Sequence, residues 1–188
     1  MALSDQLFKA ILAMDVYNRG YGGSLEISSN NLGNATLGQD SSILVDPNNG
    51  ARRDEPISFF AQSYTWNGKT VISYRGTDNA IVDASTGFGL GAGSSGSPQS
   101  LMAAEFYRAI NGGSIAGNPN IDLTGHSLGG GLAGFVGTIY GVDFKLFDNM
   151  AFEGGATQLL TYDGPSCEFR SNSCPVKRRR KSRPLGRL

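Results

Sequence analysis

Between Ile121 and Tyr140 the chain has little conformational choice. Residues 121–124 read as a short apolar strand, Leu128–Tyr140 reads as a helix by its apolar content, and only Gly125-His126-Ser127 separates them. A strand that gives way to a helix so abruptly needs a sharp turn. Glycine on either side of Ser127, in Gly125-His126-Ser127-Leu128-Gly129, permits that turn and would lift the serine hydroxyl above the sheet beside the helix N-terminus. The bare G-x-S-x-G pattern carries little weight, because 27 of the 188 residues are glycine and a shuffled chain would hold it about 0.4 times. Its place between strand and helix is what matters. The helix itself holds Gly129, Gly130, Gly131, Gly134 and Gly137. Each interior glycine costs about 0.5–1 kcal/mol relative to alanine, so the cluster implies close approach to a sheet or another helix.

The rest of the chain supplies the layers around this turn. Residues 4–18 set Leu7, Phe8, Ile11, Leu12 and Val16 on one helical face, with Ser4 as N-cap and Gly20-Tyr21-Gly22-Gly23 as terminator. Residues 24–56 are rich in Ser, Asn, Gly and Asp, with short apolar pieces at 25–27 and 43–45, and read as loops with one or two short strands. Two runs of aromatic and β-branched residues, 57–65 and 70–74, flank Trp66-Asn67-Gly68-Lys69, and Asn-Gly is a strong hairpin-turn signal. Residues 76–97 form a glycine- and serine-rich stretch too long for a plain connector. Pro98–Ile110 then reads as a helix, and 143–147 as a last strand. Strand, helix, strand, helix, strand in sequence predicts an α/β sandwich with a mostly parallel sheet beyond the hairpin.

Composition excludes several classes. At 39% hydrophobic, with 10 Phe and 7 Tyr, the chain can bury one ordinary core. No run approaches the roughly 18 apolar residues of a membrane helix. The formal charge of zero hides two unlike parts: residues 1–165 hold eight basic and fifteen acidic side chains, whereas 166–188 hold eight basic ones and only Glu168. An acidic body is a poor partner for nucleic acid. The reading is therefore one domain over 1–165 and a basic tail over 166–188, disordered or foreign to the fold, which also contains both cysteines, Cys167 and Cys174. The first residues have no basic n-region, so no cleaved secretory signal is expected. One histidine and two tail cysteines offer no metal-ligand spacing, and Gly89-x-Gly91-x-Gly93 follows no strand, so neither a metal nor a cofactor is expected.

A second motif lies some 50 residues before Ser127: Val71-Ile72-Ser73-Tyr74-Arg75-Gly76-Thr77, a strand running into Arg-Gly-Thr. Acyl transfer needs two hydrogen-bond donors aimed at the developing oxyanion; one is the backbone N–H after the nucleophile and the other comes from an upstream strand end. Leu128 and Thr77 fit those places. Tyr-Arg-Gly-Thr followed by Gly-His-Ser-Leu-Gly-Gly resembles the class 3 (fungal-type) lipase family of α/β-hydrolases, and Asp15-Val16-Tyr17-Asn18-Arg19-Gly20-Tyr21-Gly22 resembles its bacterial members secreted without a conventional signal peptide. The resemblance covers roughly residues 1–160 and implies a three-layer α/β-hydrolase-like sandwich, here incomplete at its C-terminus. It further implies an extracellular carboxylic ester hydrolase acting on small esters or acylglycerols, with Ser127 as nucleophile, Thr77 and Leu128 forming the oxyanion hole, and a lid over 78–97.

The family triad continues with an Asp and a His, both after the serine, and this chain has no histidine beyond His126. His126, in the x of the elbow, is expected to pack or hydrogen-bond rather than act as base. For the acid, Asp148 follows the last strand and is the candidate, although it lies nearer the serine than the family's acid does and so reads more as a strand-end or structural carboxylate; Asp163 is a weaker one. Arg75 is expected to anchor loops, and Asp78 and Asp83 to hold the lid. An aspartate without its imidazole orients nothing, so the expected enzyme is weak. The alternative is a non-catalytic remnant of a hydrolase fold that assembles as a homo-oligomer.

Overall fold

The computed structural model of the chain describes residues 4–21, 32–76 and 95–161. Thr77, Asp78, Asp83 and Asp163, most of the expected lid and the whole basic tail lie outside the described residues.

Helix α1 spans Asp5–Asp15, and the Ser4 hydroxyl accepts the Leu7 N–H at 3.2 Å, satisfying one of the open donors of its first turn. A 3-10 turn, Val16–Asn18, replaces the last residues of the longer helix that the apolar spacing suggested. Asp15 is buried and accepts hydrogen bonds from Arg19 Nε at 2.8 Å and from the Tyr64 hydroxyl at 2.8 Å, which ties this turn to the sheet.

Five strands follow: β1 Thr36–Asp40, β2 Ala61–Trp66, β3 Lys69–Tyr74, β4 Ile121–His126 and β5 Phe144–Phe147, ordered β1-β2-β3-β4-β5 in one sheet. The hairpin turn forms where Asn67-Gly68 placed it. Both residues have positive φ, 48° and 77°, the conformation of a two-residue type I′ turn.

The expectation of a mostly parallel sheet is overturned. Antiparallel pairing joins β1 to β2 and β2 to β3, with a further isolated antiparallel bridge between Val45 and Arg52; only β3 with β4 and β4 with β5 are parallel. The physical reason is the cost of a crossover. Each parallel pair needs a dozen or more connecting residues, usually a helix, whereas β2 and β3 need only the two-residue turn. Strand β1, from the segment read as loops with one or two short strands, adds the second antiparallel neighbour.

Alternation along the strands separates two apolar regions. Val71 packs with Phe8, Leu12 and Tyr64 on the α1 side, where the Ser73 hydroxyl donates to the Leu12 carbonyl at 3.0 Å. Ile72, Tyr74 and Leu123 belong to the larger core with helices α2, Pro98–Ile110, and α3, Leu128–Tyr140. The Tyr74 hydroxyl donates to the Ala103 carbonyl at 3.1 Å, and burial holds that phenol well above its ordinary pKa. A further helix, α4 at Glu153–Thr161, was not legible in its two-glycine sequence. It follows a segment laid against the glycine face of α3: a Cβ at Gly134 would fall 2.5 Å from the Phe152 ring, and one at Gly130 2.7 Å from Asn149 Cβ. That close approach is the reason the helix tolerates its glycines.

At the amino end of β4 the buried Lys9 meets Asp122 at 2.7 Å and Asp5 at 3.0 Å, with Lys69 3.3 Å from Asp122. Burial lowers the Lys9 pKa, but its hydrogen bonds to Asp122 and Asp5 outweigh that and leave it above the usual lysine value. Among the described residues no helix is long and apolar enough to cross a membrane.

Candidate functional site

The carboxyl ends of β3, β4 and β5 converge on Ser127. Tyr74 is in register with Gly125, and His126 with Phe147. Ser127 itself has φ 55° and ψ −125°, a region that a residue with a side chain rarely occupies. Its neighbours explain why it can be held there. A Cβ at Gly125 would overlap the Gly129 carbonyl and lie 2.8 Å from Gly130 N; a Cβ at Gly129 would overlap the Tyr74 carbonyl oxygen. Only glycine at both places lets the first turn of α3 close onto the ends of β3 and β4.

The serine backbone is held on three sides. Its N–H donates to the Phe147 carbonyl at 3.1 Å, and its carbonyl accepts from Gly131 N at 3.1 Å and Met150 N at 2.9 Å. Its side chain makes no cap to the helix it precedes and has no hydrogen-bond partner among the described residues. Ser127 is half-buried. Because the first intrahelical bond comes from Gly131, the N–H groups of Leu128, Gly129 and Gly130 have no partner within the helix, and positive potential gathers at that end.

His126 is turned to other work. Its Nδ1 lies 3.3 Å from the Tyr17 hydroxyl, and the two rings meet edge to face at 6.2 Å. This agrees with a packing and hydrogen-bonding role. Asp148 follows β5 with φ 44° and an exposed side chain that has no hydrogen bond or ion pair among the described residues. It sits between Phe147 and Met150, two of the three residues bonded to the serine backbone, so it shares the rim of the site. The structure brings it no imidazole.

Arg75 is 3% exposed; it donates to the carbonyls of Tyr21 at 2.6 Å and Arg19 at 3.3 Å and stacks on the Tyr21 and Phe60 rings. It anchors the segment after α1 through these carbonyls and ring faces. Thr77, the expected second oxyanion donor, lies outside the described residues; Gly76 before it packs so tightly that a Cβ there would overlap the Tyr17 hydroxyl and come within 2.7 Å of the His126 carbonyl oxygen.

No family model matches this chain, and neither does any curated protein. Its function has to be read from the elbow itself. Among the described residues no group of three or more His, Cys, Asp or Glu side chains could hold a metal ion. Tyr17 and the Phe147–Met150 backbone are the parts of the site that sequence reasoning missed. Tyr17 lies 109 residues from its partner, and nothing in a single sequence records that pairing.

Proposed function

We propose that the chain is a serine ester hydrolase, of the kind that the class 3 lipases represent, acting on small carboxylic esters or acylglycerols. The observation that carries this reading is Ser127, held at φ 55° between a strand end and a helix N-terminus by glycines whose replacement would drive atoms into backbone. Strain of this kind at a polar, partly accessible residue points to function.

In this reading the Ser127 Oγ attacks the ester carbonyl carbon. The carbonyl oxygen takes up negative charge and is met by the Leu128 N–H, with Thr77 as the second donor. Collapse expels the alcohol and leaves an acyl-serine, which water hydrolyses. The serine proton goes to solvent or hydroxide, since the one imidazole of the chain meets Tyr17 through Nδ1 and makes no hydrogen bond to Ser127 among the described residues. A site with an oxyanion hole and no working base retains roughly 10³–10⁴-fold acceleration over water. Asp148 has no imidazole to orient and is read as a rim carboxylate.

Hydrolysis of p-nitrophenyl acetate and p-nitrophenyl butyrate by the wild-type chain and by Ser127→Ala tests this. The wild type should exceed the variant on both esters, with a rate that rises with pH instead of levelling near the imidazole range. Equal rates in the two proteins would reject acyl transfer at Ser127 and leave the non-catalytic, oligomeric reading.

A further inference from the structure

The Tyr17 hydroxyl sits where the carboxyl ends of β3 and β4 meet. It lies 3.3 Å from His126 Nδ1 and 3.4 Å from the His126 carbonyl oxygen, and Gly76 packs directly on it. The residues on this hydroxyl are those that precede Ser127 and Thr77, the proposed nucleophile and second oxyanion donor. The turn that carries Tyr17 is itself fixed, because buried Val16 precedes it and the Asp15–Arg19 ion pair at 2.8 Å brackets it.

A hydroxyl has one proton, and a carbonyl oxygen can only accept. The arrangement that uses both contacts gives the phenolic proton to the His126 carbonyl and has Nδ1 donate to the phenolic oxygen. In that arrangement the ring proton is on Nδ1 and the lone pair on Nε2, which has no hydrogen-bond partner among the described residues.

We propose that Tyr17 is a positioning residue for the elbow. Its hydroxyl holds the His126 imidazole as the Nδ1–H tautomer and fixes the His126 peptide against Gly76, and with it the turn that carries Ser127 and the Leu128 N–H. The catalytic half of this inference rests on the hydrolase reading; the tautomer does not. Because Tyr17 acts through backbone geometry, its loss should slow acylation without weakening substrate binding.

The test has two arms on the full chain. His126 is the sole histidine, so an imidazole 15N spectrum, recorded on the alkaline plateau of its titration, reads this residue alone. In the wild type the proton should reside on Nδ1, and Tyr17→Phe should shift it towards Nε2. With p-nitrophenyl butyrate, Tyr17→Phe should lower kcat about tenfold, the upper range for one lost hydrogen bond, with KM unchanged. A proton on Nε2 in the wild type overturns the tautomer. An unchanged spectrum and unchanged kcat in Tyr17→Phe overturn the positioning role. Should Ser127→Ala keep the wild-type rate, the hydrolase reading falls and the 15N spectrum alone decides whether Tyr17 holds His126.

Discussion

Gly129→Ala sets two opposing effects against each other at one atom. Alanine is the better helix former, and in a helix interior the exchange should stabilise by up to about 1 kcal/mol. At position 129, however, the new methyl would overlap the Tyr74 carbonyl oxygen and lie 2.8 Å from the carbonyl carbons of Tyr74 and Arg75, against an ordinary contact of 3.4 Å or more. All these obstacles are backbone at the end of β3, so no side chain can rotate away. Relieving the overlap with the Tyr74 oxygen takes a shift of about 1 Å, and overpacking of this sort costs about 1–3 kcal/mol or somewhat more. Steric overlap should win, for a net loss of about 1–2 kcal/mol and a Tm lowered by roughly 2–8 °C in a domain of this size. Circular dichroism melts and urea titrations of the two proteins measure it. The same displacement should carry Ser127 away from the end of β3 and depress ester hydrolysis further than the stability loss alone. A variant as stable as the wild type, or more so, would refute the claim that glycine is needed there for close approach.

Two further substitutions address the charged groups. Lys9→Met should destabilise by about 3 kcal/mol in urea, because it leaves buried Asp122 with only Lys69 at 3.3 Å; adding Asp122→Leu should recover much of that loss. The raised Lys9 pKa means that its contribution is complete below about pH 10.5, the ordinary lysine value, and is lost as pH climbs through the higher folded value, so Lys9→Met should lack that alkaline loss. For Asp54, burial raises the pKa, but hydrogen bonds from Arg52 and Ser41 more than offset it and leave it below 3.8. Its contribution is complete above that pH and is lost as pH falls through the lower folded value. Asp54→Asn should therefore flatten the acid limb of a pH titration of stability, and an unchanged acid limb would show that the Arg52 and Ser41 contacts contribute nothing.

Local signals in the sequence were read correctly wherever the physics is local. Pro98–Ile110 and Leu128–Tyr140 have the bounds that their apolar periodicity gives, and the Asn67-Gly68 turn follows from two residues that accept positive φ. The direction of strand pairing was misjudged because β1, Thr36-Leu37-Gly38-Gln39-Asp40, is mostly exposed and carries almost no alternation to mark it as a strand. Its pairing with β2 is a long-range property. The same holds at the site. Gly125, Ser127 and Gly129 announce a sharp turn by composition alone, whereas the bonds from Ser127 to Phe147 and Met150, and the meeting of Tyr17 with His126, join residues whose proximity only the folded sheet creates. Asp148 is a candidate acid because it follows a strand; in the fold its side chain is exposed, and the one histidine of the chain meets the Tyr17 hydroxyl.

The nucleophilicity of Ser127 is tested most directly by exposing the native chain to a p-nitrophenyl alkylphosphonate and weighing it. Attack by Oγ would form an O–P bond and expel p-nitrophenolate, with the serine proton passing to solvent. One phosphonyl group per chain, mapped to Ser127 by peptide mass spectrometry and absent from the urea-unfolded protein, is the expected result. Labelling no faster than in the unfolded chain, or labelling spread over other hydroxyls with Ser127 unmodified, would contradict it.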